Sequence, residues 1–148
     1  MAIRPNEGAG SPVRISVKTE GANIPDTFPV LSVHVSAGLG EIPKAVIALG
    51  TPNIVGEGYD GLDGAAFTHG KEIELYADYG NESEKVIFSG VISGKRLRVD
   101  SSSATTEITA YDKAIKLNGT RRTSFFEQQK DSDVMSSLLS DAGLGADI

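Results

Sequence analysis

Hydrophobic and polar residues alternate along most of this chain with a period of two, the spacing that sends successive side chains to opposite faces of a strand. Val13, Ile15 and Val17 point one way while Arg14, Ser16 and Lys18 point the other. Leu31, Val33 and Val35 alternate with Ser32, His34 and Ser36 in the same manner. Gly38 and Gly40 close that strand, and Pro43 opens residues 45–49, which are apolar at every position. Such a run predicts a central strand, or one covered by a partner. Ile73, Leu75 and Ala77 interleave with Glu72, Glu74 and Asp78, and Gly80-Asn81-Glu82-Ser83 reads as a hairpin turn. Residues 86–92 are the most apolar run of all, and Gly90 within them signals a bulge or a close backbone approach. Gly94 breaks to Leu97 and Val99, and Ser101-Ser102-Ser103 turns into a last strand over 105–111.

Only the C-terminal end changes period. Asp131 or Ser132 can cap a helix whose apolar stripe is Val134, Met135, Leu138, Leu139 and Ala142. Gly143 sits where a left-handed residue ends a helix, and Leu144 follows at the position that touches Leu139 in a Schellman motif. Phe125 and Phe126 precede the helix and read as core. The pattern predicts a mainly-β fold: an antiparallel β-barrel of about seven or eight strands followed by a C-terminal α-helix. Residues 1–12, with Pro5, Gly8, Gly10 and Pro12, form a flexible lead-in; 13–122 make the barrel; 123–148 are a helical extension that reads as the start of a following domain. Six glycines between positions 50 and 70 make that stretch the longest irregular excursion.

Composition narrows the functions available. The 148 residues carry a net charge of −6, against the basic balance of a dedicated nucleic-acid binder. With no cysteine, disulfides, thiolate zinc sites and cysteine nucleophiles are excluded. The N-terminus has no apolar signal-peptide core, so the chain is expected to be made and kept in the cytoplasm until assembly. No apolar run reaches the roughly 18 residues of a membrane span.

Candidate chemistry is thin. His34 lies on the polar side of a strand and His69 ends the glycine-rich stretch, neither with a partner at ligand spacing. Asp60-Gly61-Leu62-Asp63-Gly64 hints at a calcium loop but lacks the further acids and closing glutamate of one. Glu72, Glu74 and Asp78 alternate outward, where solvent keeps carboxylates ordinary. No nucleophile elbow, phosphate loop or dinucleotide fingerprint is present. The reading is therefore no enzyme, no catalytic residue, no metal and no cofactor. The basic charge concentrates late: residues 1–90 hold six bases, while 91–148 hold eight in a shorter span. Lys95, Arg96, Arg98, Arg121 and Arg122 are the candidate protein interface, several of which can share a face if their strands pair. With only Tyr111 among these bases, the stretch lacks the stacking platforms of a single-strand binder.

In order along the chain, several segments resemble the N-terminal barrel region of Vgr-type spike proteins and phage late-control D tail hub proteins of contractile injection systems. Phe88-Ser89-Gly90-Val91-Ile92 is similar to a family strand. Tyr111-Asp112 leading to Leu117 resembles a later strand carrying an aromatic or acidic pair. Arg121-Arg122-Thr123-Ser124-Phe125-Phe126 resembles an arginine and aromatic entry to a helix, and Asp131 through Leu139 its acidic-start helix. The resemblance spans most of 13–148 and implies a structural part: a homotrimer adapting a hexameric tail-tube protein to a trimeric spike or needle module, without nucleic acid or stable membrane insertion. It implies assembly into a phage tail or injection particle, with ejection as one fate. Family members run to several hundred residues, so the chain reads as a fragment or an unusually short member. The competing reading is a small β-barrel binding module for sugar or protein, disfavoured by the lack of tryptophan and the scarcity of other aromatics.

Overall fold

A computed structural model describes residues 13–50, 65–79, 83–99, 103–119 and 123–145. The alternating segments become seven strands: β1 (Val13–Thr19), β2 (Ala22–Asn23), β3 (Val30–Ser36), β4 (Lys44–Gly50), β5 (Glu72–Tyr79), β6 (Lys85–Val99) and β7 (Ala104–Tyr111). They form one sheet in the order β2-β1-β5-β6-β7-β4-β3, every neighbour antiparallel. One helix, α1 (Asp131–Asp141), follows. The chain is mainly β with a terminal helix, as the alternation predicts. The expected lead-in over 1–12, the calcium-like loop at 60–64 and the centre of the turn at 80–83 lie outside the described residues.

The expected barrel is corrected in one respect: among the described residues its ladder is not closed. β2 and β3 are the two ends of the sheet and no hydrogen-bonded pairing joins them. β2 has only two residues, and the connection from it to β3 contains Pro25 and Pro29, which lack the N–H that a ladder needs. That connection instead drives Phe28 inward, edge to face on Phe67 with ring centroids 5.5 Å apart. Val17 from β1 belongs to one core cluster with Ile47, Leu49, Ile73, Leu75, Ile92 and Ile108, and the partly buried Val33 and Val35 from β3 pack against it. Both ends of the sheet therefore wrap the same core. In the uniformly apolar run 45–49 the structure decides the face: β4 buries Ala45, Ile47 and Leu49 completely while Val46 and Ala48 are half-buried on the other side.

β2 is the element the pattern misses. It forms a two-residue hairpin with β1, in which Glu20 and Gly21 both take positive φ, 52° and 78°. Two such residues match the right-handed twist of the strands they join. Glu20 is held in this costly conformation by Glu72, whose backbone N–H donates to the Glu20 side chain at 2.7 Å, while the Glu20 N–H donates back to the Glu72 carbonyl.

A second correction concerns Gly94, expected to break a strand. β6 runs on for 15 residues through it. The chain absorbs the irregularity as a bulge: Ile92 pairs with Ala110 and Gly94 with Thr109, leaving Ser93 extra, its hydroxyl donating to the Thr109 carbonyl. The segment that resembles a strand from Tyr111 to Leu117 ends at Tyr111. Asp112 then caps a 3-10 turn, Lys113–Asn118, by accepting from the Ala114 N–H at 2.8 Å.

α1 closes as predicted and opens differently. Gly143 has φ 69°, its N–H donates to the Ser140 carbonyl, and the Leu144 N–H donates to the Leu139 carbonyl, the paired bonds of a Schellman motif. At the other end Lys130 occupies the cap position with no side-chain bond, so neither Asp131 nor Ser132 caps. Asp131 and Asp133 sit inside the first turn, where carboxylates favour the positive end of the helix dipole. No residue of α1 is buried, and Phe125 and Phe126, expected in the core, are 85% and 38% exposed. The interior is already filled by the strands together with Phe28 and Phe67.

Candidate functional site

Cross-strand register gives the face of the sheet opposite the core its chemistry. In antiparallel neighbours, directly opposed residues share a face. Lys18 of β1 opposes Glu74 of β5, and Arg14 opposes Asp78. Glu84, just ahead of β6, reaches back to accept from the Lys18 ammonium at 3.0 Å and from the Ser16 hydroxyl at 2.9 Å. The Lys18 ammonium also lies 4.0 Å from the centre of the Tyr76 ring, and the Tyr76 hydroxyl donates to Glu74 at 2.9 Å. Alternation puts these residues on one polar face, but only the register shows that they form a network.

The titrations follow the contacts. Hydrogen bonding from Lys18, then from Ser16, holds the Glu84 carboxyl below the usual carboxylate value, and the same pair raises the Lys18 ammonium. The bond to Glu74 raises the Tyr76 hydroxyl. Glu72, bonded by the Lys113 ammonium at 2.6 Å, is likewise lowered. A depressed carboxyl contributes stability above its unfolded value and loses it as pH falls through its native one. Glu84→Gln is therefore expected to lower stability slightly at pH 7 and to make no difference near pH 3, as read by urea unfolding at the two pH values. The effect is small because the pair is partly exposed and screened.

The register of β6 on β7 places the residues of the expected basic interface. Lys95 opposes Ile108, and Leu97 opposes Thr106, so Lys95 joins the core-side face of a strand that by then has run past the core. Arg96 opposes Glu107 and Arg98 opposes Thr105, so these two arginines share the opposite face. Arg98 forms an ion pair with Glu107 at 3.1 Å. The structure thus brings Arg96 and Arg98 together and separates Lys95 from them, while Arg121 and Arg122 lie outside the described residues. One extra residue in a ladder inverts the alternation after it, and nothing in the local sequence besides Gly94 announces it.

The histidines remain apart. His34 is exposed on β3 opposite Val46, and exposed His69 has its Nδ1 3.3 Å from the Ile92 carbonyl. Among the described residues, no group of three His, Asp or Glu side chains is placed to hold a metal, and no helix is long and apolar enough to cross a membrane. A cleft of about 270 Å³ opens at the seam of the sheet, between Ile15 and Val17 of β1, the connection that carries Ile24, Pro25 and Asp26, and Val30 of β3.

The fold is shared with phage tail proteins. The crystal structure of the prophage MuSo2 43 kDa tail protein from Shewanella oneidensis matches with a TM-score of 0.60 at 13% identity, over 89% of this chain and 38% of that one. The tail protein from Neisseria meningitidis MC58 matches with a TM-score of 0.57 at 14% identity, over 87% of this chain and 33% of that one. The chain thus has a phage-tail-related fold and spans between a third and two fifths of those proteins. In sequence, residues 9–148 match the family described as the Alg8 N-terminal domain, and the chain belongs to that family. No curated protein matches it.

Proposed function

We propose that this chain is a structural hub or spike component of a contractile injection machine, adapting a hexameric tail tube to a trimeric spike as part of a homotrimer. The observation that carries this reading is the fold match to two tail proteins over nearly the whole of the chain. The ordered resemblance of 13–148 to Vgr-type and late-control D hubs supplies the finer role. In this role the work is mechanical and no catalytic group or cofactor takes part. The curled sheet is the rigid element, and its outer face meets the neighbours with paired and unpaired charge, Arg96 and Arg98 among the groups facing the tube. Complementary charge at such a face sets which partner docks and in what register more than how tightly it docks.

Affinity capture of the tagged chain from its source cells, with the bound proteins identified by mass spectrometry, tests the proposal. Recovery of a tube protein together with spike or baseplate parts is expected. Capture that reproducibly returns none of these, from the longest native product as well, would overturn it.

A further inference from the structure

The chain has five asparagines, and Asn118 alone is followed by glycine. That order matters because an asparagine side chain is open to attack by the main-chain nitrogen of the next residue. A Cβ on that residue obstructs the approach, and glycine has none. The nitrogen must also be released from hydrogen bonding and lose its proton, so local structure decides whether the attack takes place.

Asn23 and Asn118 lie in described segments and differ in this respect. Asn23 belongs to β2, opposite Lys18, and precedes Ile24, whose N–H donates to the Val17 carbonyl at 3.1 Å. The nitrogen that would attack Asn23 is thus held against the sheet and carries a branched side chain. Asn118 is the last residue of the 3-10 turn Lys113–Asn118, which buries none of its residues, and positions 116–119 are all exposed. The end of such a turn opens without disturbing the core, because no burial holds it shut. Opening frees the Gly119 nitrogen, and solvent reaches the Asn118 amide directly.

We propose that Asn118 is a self-modification site, converted to aspartate and isoaspartate with water as the only co-reactant. The Gly119 nitrogen gives up its proton and attacks the Asn118 Cγ. The N–Cγ bond forms, the Cγ–Nδ2 bond breaks, and ammonia leaves with that proton. Water then opens the cyclic imide at one of its two carbonyls. Breaking the new bond gives aspartate; breaking the original peptide bond gives isoaspartate. Nothing is oxidised or reduced. Either product adds a negative charge close to Lys116, and isoaspartate also lengthens the main chain where it leaves the sheet for α1. The proposal does not rest on the tail assignment, so either can fail without the other.

Incubation of the folded chain in mildly alkaline buffer, followed by peptide mapping with mass spectrometry, tests it. The Asn118 peptide is expected to split into two products, each heavier by the exchange of an amide NH2 for OH, while the Asn23 peptide stays unchanged. Gly119→Ala should slow the conversion by about tenfold or more, since it restores the obstructing Cβ. That variant keeps the fold: Gly119 has φ −76° and ψ −27°, which alanine adopts freely, and a Cβ there comes no nearer than 3.7 Å to the Lys116 carbonyl oxygen. A folded chain that keeps Asn118 intact over the time in which the chain unfolded in guanidinium chloride converts, or a Gly119→Ala variant that converts as fast as the native sequence, would overturn the proposal.

Discussion

Replacing Gly90 with alanine is expected to cost this domain most of its stability. Gly90 is buried in the middle of β6, where the backbone of β7 crosses close by. A Cβ there would stand 2.2 Å from the Tyr111 carbonyl oxygen and 2.8 Å from the Phe88 ring. The ring can turn aside, but the carbonyl belongs to the β7 backbone, which β4 holds from its other side through Lys44 and Ala45. Separating the strands enough to admit a methyl breaks the ladder at its centre. Overpacking a tight core costs about 1–3 kcal/mol when side chains can adjust. With backbone as the obstacle, the loss should reach about 4 kcal/mol or more, in the range that unfolds a marginal domain. Chemical denaturation of Gly90→Ala beside Gly94→Ala checks the claim, because a Cβ at Gly94 meets nothing within 4 Å. The Gly94 variant should stay folded.

Ile108→Ala is the second large effect, for the opposite reason. Ile108 is fully buried at the middle of β7, opposite Ile47 of β4 on one side and Lys95 of β6 on the other. Removing its side chain leaves a cavity that the sheet cannot collapse to fill, since the ladder fixes the strands on both sides. Losses of about 2–5 kcal/mol follow such truncations. The cooperative transition should survive with a lower urea midpoint and an unchanged slope. Val46→Ala, on the outer face of the neighbouring strand, should cost much less, and equal losses at the two positions would contradict the assignment of faces.

The fold was legible where one face of a strand is buried, because burial imposes the alternation that Val13 to Lys18 and Ile73 to Asp78 display. It was legible at α1 because Gly143 and Leu144 carry the geometry of a helix end in their identities. β2 was not, since two residues hold no period, and its hairpin depends on a glutamate in a conformation that glutamate seldom adopts. Gly90 and Gly94 look alike in sequence, yet one marks a close approach of backbones and the other sits beside a bulge; only the neighbouring strand tells them apart. The open ladder depends on how far the sheet curls, which no local pattern encodes.

The candidate surface shows the same division. That Lys18, Glu72 and Glu74 face outward followed from alternation. That Glu84 reaches Lys18 and Ser16 across two strands did not, because the contact depends on register set elsewhere. The density of bases in sequence names Lys95, Arg96, Arg98, Arg121 and Arg122 as a candidate interface of which several can share a face. The odd spacing of Lys95 from Arg96 and Arg98 on one strand places them on two faces, and the bulge at Ser93 sets which of those faces lies on the core side.

The most direct measurement of the central claim is to look for the chain inside the particle. Purified tail or injection particles from the source cells, imaged by electron cryomicroscopy with the chain carrying a visible tag, should show the tag at the junction of tube and spike, three copies to a particle. Particles that assemble complete and intact with no tag at that junction, while the tagged chain stays outside them, would contradict the account.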